Sequence, residues 1–182
     1  GVPGAAARRN ARRRGRSAMD DKLLSYGDCL LRVRDVALLT GPLWLNDAVM
    51  SFFFEYLRSE GAQPDEPHAD RVVLVDASLS FLVANISPDE ARAVLAPLGL
   101  SRAHMALFLV NDNDDFSVAC GGSHWSLLAY LRDENAFAHF DSAGGRNDAA
   151  AARLAKTLAD ALMDEKKKSP AVTFASGRSG AP

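Results

Sequence analysis

The sequence predicts an α+β fold, with a mixed sheet packed against helices. Three observations carry that expectation. Apolar residues recur at helical spacing through the first half of the chain, the second half switches to short apolar runs separated by polar turns, and an Ala-rich amphipathic stretch follows them. At 182 residues, 48% of them hydrophobic, the chain fits one domain, which can bury roughly 70% of its unfolded surface. The expected organisation is a disordered Arg/Ala-rich leader over residues 1–18 and a folded domain over 19–182.

From Leu23 to Leu39 the pattern reads as short strand and turn, with apolar Leu30, Leu31, Val33, Val36, Leu38 and Leu39, and Gly41-Pro42 ends it. Asn46 or Asp47 is the expected N-cap of a helix running to about Ser59, whose core face would carry Val49, Phe52, Phe53 and Tyr56. Gly61 to Ala69 reads as a surface loop. Arg71 to Val75 reads as a short strand or extended lead-in, and a helix follows through Val83. Ser87-Pro88-Asp89-Glu90 combines a cap, Pro at the first helical position and Glu three residues after the cap. This is a capping box opening a helix to about Leu95.

Ala106 to Val110 reads as a buried strand, followed by the polar turn Asn111 to Asp115 and a second turn at Gly121-Gly122. His124 to Leu131 and Phe137 to Asp141 are two more strands, joined by the turn Arg132 to Asn135. Gly144-Gly145 breaks the pattern. Asn147 to about Lys166 is then helical, with Leu154, Leu158, Ala161 and Leu162 on one face and Lys166 to Lys168 suited to the negative end of its dipole. Ala171 to Phe174 starts a last strand.

Composition narrows the function classes. No apolar run approaches the roughly 18–20 residues of a membrane span. Two cysteines, Cys29 and Cys120, exclude a disulfide scaffold and paired C-x-x-C zinc knuckles, and make a reducing compartment the default. Residues 1–18 carry six arginines and no acid, so the remainder holds 15 basic residues against 23 acidic ones, a net charge of −8. An acidic body disfavours nucleic acid and suits a basic protein partner. The leader itself has three readings: a solvated tail or an artefact ahead of a true start at Met19, a basic nuclear or nucleic-acid patch, or a transit peptide. Because the chain begins at Gly1, it is expected not to be a complete translation product.

Spacing decides which titratable residues can combine. In the expected hairpin, His124 at the start of one strand and Asp141 at the end of the next return to each other. A carboxylate beside an imidazole fixes its tautomer and stabilises its charged form, as in the orienting pair of a nucleophilic triad. The pattern alone leaves open a strand-end His with an incidental acid. His68 reads as solvated, His104 as a loop or helix-end residue, and His139 as the solvent side of its strand. Cys29 reads as a small core residue. A Cys120/His124 metal pair lacks two further ligands, so no metal is expected. Cys120 and Ser123 lie too close to His124 in the chain to serve as its nucleophile.

Trp44-Leu45-Asn46-Asp47 at a helix start, Phe108-Leu109-Val110-Asn111-Asp112-Asn113, Gly121-Gly122-Ser123-His124-Trp125-Ser126-Leu127-Leu128 and Phe140-Asp141-Ser142 together resemble the Ulp/sentrin-specific family of cysteine proteases. The Leu24-Ser25-Tyr26 opening and the Asn-Asp-Asn turn look most similar to its small deneddylase branch. The resemblance runs from about Leu23 to Phe174 in order, with an Asp 17 residues after the His-Trp pair. It implies a papain-like, adenain-like fold and a Cys–His–Asp triad, with His124 as base and Asp141 as orienting carboxylate. Trp125 and Trp44 would line a tunnel for a modifier's Gly-Gly tail, a steric filter that only residues without β-carbons pass. Asp47 would contact basic residues of that tail, unless it only caps the helix.

The implied reaction is cleavage after the C-terminal Gly-Gly of a ubiquitin-like modifier, of the Nedd/Rub type, by acyl transfer through a thioester. The implied partners are the modifier and its conjugates, such as cullins, met by a monomer in the cytoplasm or nucleus, with no cofactor, nucleic acid or membrane. SUMO is the alternative modifier, and a non-enzymatic modifier-binding protein is the alternative class. The family's nucleophile lies in a Gln-x-x-x-x-Asp-Cys-Gly segment after the strand that begins here at Ala171, and neither Cys29 nor Cys120 matches it. C-terminal truncation is the expected reason, true loss of the nucleophile the alternative, and the chain as written is expected to be inactive.

Overall fold

A computed structural model of the chain describes residues 18–60, 72–100, 102–113 and 122–162, and the backbone of 171–176. The fold separates into two units, residues 1–55 and 56–182. The expectations for residues 1–17, the loop at 61–69 with His68, Cys120 and Lys166 to Lys168 lie outside the described residues. Ala18 already belongs to a 3-10 turn, Ala18–Asp20.

In the first unit, strands β1 (Lys22–Tyr26) and β2 (Cys29–Arg32) form an antiparallel hairpin. It turns at Gly27, whose φ of 51° is the left-handed region that glycine enters without steric cost. The strand-and-turn pattern expected through Leu39 gives way to helix at Val33, where α1 (Val33–Ala37) and a 3-10 turn (Leu38–Thr40) replace it. The cause is Asp35, whose carboxylate accepts the Arg32 backbone N–H at 2.8 Å and so closes a helical turn.

Helix α2 (Asp47–Glu60) then begins where the sequence placed it. Its cap is Asn46, whose Oδ1 accepts the Val49 N–H at 3.1 Å, with Asp47 in the first turn. The expected core face is only partly right. Val49 and Phe54 are buried, but Phe53 is 52% exposed and Tyr56 is 45% exposed. Three consecutive phenylalanines at 52–54 cover most of the helix circumference, so periodicity alone does not choose the buried face. Phe52 packs edge-on against Tyr26, with ring centroids 5.8 Å apart.

The second unit is built on a five-stranded sheet in the order β3 (Val72–Val75), β4 (Met105–Asn111), β5 (Trp125–Leu131), β6 (Ala136–Asp141), β7 (Ala171–Ser176). The central pairs β4–β5 and β5–β6 are antiparallel, and the outer pairs β3–β4 and β6–β7 are parallel, so the sheet is mixed as expected. In the β5–β6 hairpin Leu131 faces Ala136 and Leu127 faces Phe140, which returns the end of β6 to the start of β5.

Three helices belong to this unit among the described residues: α3 (Ala77–Val83), α4 (Pro88–Leu95) and α5 (Asp148–Leu162). Asp76 caps α3 by accepting the Leu79 N–H at 2.9 Å. The capping box of α4 has the expected form, with Glu90 accepting the Ser87 N–H at 2.9 Å. Helix α5 buries Ala151, Leu154, Ala155, Leu158 and Ala161, a stripe at three- and four-residue spacing. That stripe joins Phe108, Leu128, Phe137, Val75 and Leu95 in one core. Each large apolar side chain buried there contributes roughly 2–3 kcal/mol.

Candidate active site

His124 precedes β5 and Asp141 ends β6, and the hairpin register brings the two together. His124 Nε2 lies 2.5 Å from Asp141 Oδ1, and both residues are buried, at 6% and 3% exposure. The carboxylate takes two further donors: Oδ1 accepts the Ala143 N–H and Oδ2 accepts the Asn147 N–H, each at 2.8 Å. Burial raises the Asp141 carboxyl, but the two backbone donors and the His124 contact outweigh it, so the group stays below its ordinary value and is ionised at neutral pH. Nδ1 of His124 has no partner among the described residues. The geometry is an oriented imidazole with one nitrogen on a carboxylate and the other without a partner among the described residues.

The segment entering His124 is held from below. Asp112 accepts the Ser123 N–H at 2.5 Å, the His124 N–H at 3.0 Å and the Ser123 hydroxyl at 2.9 Å. Arg146 pairs with Asp112 at 3.5 Å and donates to Ser123 Oγ at 2.7 Å, which ties the loop before β5 to the loop after β6. Burial raises the Asp112 carboxyl, and its bonds to Ser123 and His124 lower it further than burial raises it. Gly122 fits this turn because its φ is 84° and a β-carbon would stand 1.9 Å from Asn111 Oδ1 and 2.7 Å from Asp112 Oδ1.

His139 does not face solvent. It is 1% exposed, on the same face of β6 as Phe137 and Asp141, while Phe140 is turned outward. The alternation of β6 is real, but its inner register carries the polar residues, because Asp148 at the start of α5 and Ser126 on β5 offer partners there. His139 Nδ1 lies 2.9 Å from Asp148 Oδ1, and Nε2 lies 2.9 Å from Ser126 Oγ. His139, Asp141 and Asp148 bring three ligand-type atoms within 4.8 Å of one another. Each is already engaged: His139 with Asp148, and Asp141 with His124, Ala143 and Asn147. The cluster works as a hydrogen-bond network.

Of the remaining residues singled out in the sequence, Trp125 opens β5 beside His124 and is half-buried. Trp44 and Asp47 belong to the first unit, where Trp44 is 67% exposed. The Trp-Leu-Asn-Asp stretch is anchored there by Asn46, whose Nδ2 donates to the buried Asp35 carboxylate at 2.8 Å. His104 sits in a bend with Nδ1 2.9 Å from Asp133. Cys29 is half-buried in the β1–β2 hairpin. Sequence reasoning missed Asp112 and Asn147 as parts of the site. Asp112 looked like one acid among several in a polar turn, and Asn147 like an ordinary helix start.

No protein-family model matches the chain. Individual relatives do. Sentrin-specific protease 8 of Rattus norvegicus is 38% identical over 161 residues, an alignment covering 84% of this chain and 72% of that protein. NEDD8-specific protease 1 of Arabidopsis thaliana is 36% identical over 145 residues, covering 79% of this chain and 62% of that protein. Among solved structures, the C-terminal Ulp1 protease domain in complex with Smt3, the yeast ortholog of SUMO, superposes with a TM-score of 0.58 at 14% identity, over 94% of this chain and 74% of that one. At that identity the superposition speaks to fold, while the identity to the rat protein speaks to descent. The chain belongs to the Ulp/sentrin-specific family of cysteine proteases.

Proposed function

We propose that this chain supplies the base, the orienting carboxylate and modifier-contacting residues of a protease that cleaves ubiquitin-like modifiers after their C-terminal Gly-Gly, with modifiers of the Nedd/Rub type preferred. The observation that carries the reading is the buried His124–Asp141 pair at 2.5 Å, with Nδ1 of His124 unpartnered among the described residues. The nucleophile of the full-length protein would be the cysteine of the family's Asp-Cys-Gly segment, which residues 1–182 do not contain. Its proton passes to His124 Nδ1, and the thiolate attacks the carbonyl carbon of the modifier's last glycine. The amine leaves with the proton from His124, and water then hydrolyses the thioester with His124 as base. Asp141 stays ionised throughout and stabilises the imidazolium. Trp125 contacts the glycine tail beside the base. Trp44 offers an exposed aromatic face to the modifier, and Asp47 a carboxylate to its basic residues. The two relatives named as NEDD8-specific and sentrin-specific proteases support this choice of substrate class.

Residues 19–182 are a C-terminally truncated part of the protease domain, which acts as a monomer on modifier conjugates such as cullins and works in the cytoplasm or nucleus. No helix among the described residues is long and apolar enough to cross a membrane. The deciding experiment uses the full-length protein and modifiers fused through Gly-Gly to a reporter. The Nedd-type fusion should be cut faster than the SUMO fusion, and His124→Ala should reduce cleavage to background. Parental cleavage by His124→Ala would remove the assigned base. Cleavage of the SUMO fusion alone would keep the protease and overturn its substrate.

A further inference from the structure

An asparagine just before a helix ordinarily turns its Oδ1 back to accept a backbone N–H of the first turn. Asn147 precedes α5 and does not do this. It is 1% exposed, and its side chain points into the protein. Nδ2 lies 3.3 Å from the Val110 carbonyl, 3.2 Å from the His124 carbonyl and 3.0 Å from Ser126 Oγ. Oδ1 is buried and has no partner among the described residues. Exchanging the two amide atoms would set an oxygen against two carbonyl oxygens, so this orientation is the chemically consistent one. Meanwhile the Asn147 backbone N–H donates to Asp141 Oδ2 at 2.8 Å.

The residue therefore gives up a helix cap and buries an acceptor without a partner. Both are unfavourable locally, and neither helps α5 to form. What the arrangement does achieve is specific. One residue grips the carboxylate of Asp141 through its main chain and the main chain of His124 through its side chain. We propose that Asn147 is a positioning residue that sets the distance and angle of the His124–Asp141 pair. The inference rests on the reading of that pair as the proton-transfer machinery. It predicts that loss of the side-chain donor leaves both residues present and misplaced.

The test measures kcat and KM for the full-length protein on the Nedd-type reporter fusion. In Asn147→Ala, kcat should fall roughly 100-fold, the scale of an ångström-sized misplacement of a reacting group. KM should stay within about threefold, because the side chain does not touch substrate. The kcat loss should persist well below the melting midpoint, where a merely destabilised enzyme would recover full turnover. Asn147→Asp keeps the shape, the backbone N–H and a good capping residue but has no side-chain donor, and should lose kcat to a similar degree. The unsubstituted protein gives a readout that does not depend on the variants folding: the Asn147 side-chain amide protons should exchange slowly in NMR spectra. His124→Ala in the same assay separates the two ideas. If it is inactive while both folded Asn147 variants keep parental kcat, or if the amide protons exchange freely, this inference is overturned and the pair survives. If His124→Ala is fully active, the pair itself falls.

Discussion

The two longest helices among the described residues begin on the same dipeptide, Asn46-Asp47 in the first unit and Asn147-Asp148 in the second. Asn46 behaves as local chemistry dictates. Its Oδ1 caps the helix through the Val49 N–H, and its Nδ2 finds the Asp35 carboxylate. Asn147 inverts the pattern: its Oδ1 has no partner among the described residues and its Nδ2 serves two carbonyls and a hydroxyl. The difference lies in the surroundings. Asn46 is half-buried beside a carboxylate that takes its donor while its acceptor stays with the helix. Asn147 is enclosed by acceptors from β4, from β5 and from the segment leading into β5, and these compete successfully for its amide. The same two letters therefore mark a helix start in both places but specify the job of the side chain in neither.

The contrast leads to measurable consequences. Asp141→Asn removes the carboxylate that Asn147 holds, and cleavage should fall by roughly 10³–10⁴-fold while modifier binding persists, since an amide can support the wrong imidazole tautomer. A pH series adds a sign. The folded Asp141 carboxyl lies below its ordinary value, so its contribution to stability is complete above an unfolded pKa of about 3.9 and is lost as pH falls through the lower folded value. Urea unfolding of the parent should weaken in that acid window, and Asp141→Asn should lack this component. An unchanged acid profile would show that the carboxylate is not preferentially stabilised in the fold.

Asn46→Ala should act on stability. It removes a cap and the side-chain donor to Oδ1 of the buried Asp35, a combined loss of roughly 2–3 kcal/mol in denaturant unfolding. A loss under about 0.5 kcal/mol, the level of an ordinary surface change, would mean that Asn46 is not the working cap. Ser87→Ala provides a third helix start, exposed and bonded to its own Glu90 rather than to the His–Asp pair, so it probes capping alone. Only the capping box goes, so about 1 kcal/mol should be lost, a fall in Tm of roughly 2–4 °C. A larger effect would give this box a role beyond capping.

Much of the site's scaffold could be read from neighbouring letters. The capping box at Ser87 to Glu90, the β5–β6 hairpin, the Gly122 turn and the return of Asp141 to His124 all follow from signals within a few residues, or from strands joined by a four-residue turn. Such signals are local because a cap or a tight turn satisfies its own backbone groups. The choice of buried face was different. Phe53 points outward and His139 inward, against the expectation from pattern. Alternation tells which residues share a face, but the elements that cover the sheet decide which face is inside. Asp112 and Asn147 show the same division. The sequence determined that one lies in a turn and the other begins a helix. Only the packing of the segment before β5, the end of β6 and the start of α5 decided that their polar groups meet at His124 and Asp141, because a buried donor or acceptor goes to whichever partner tertiary contact brings within reach.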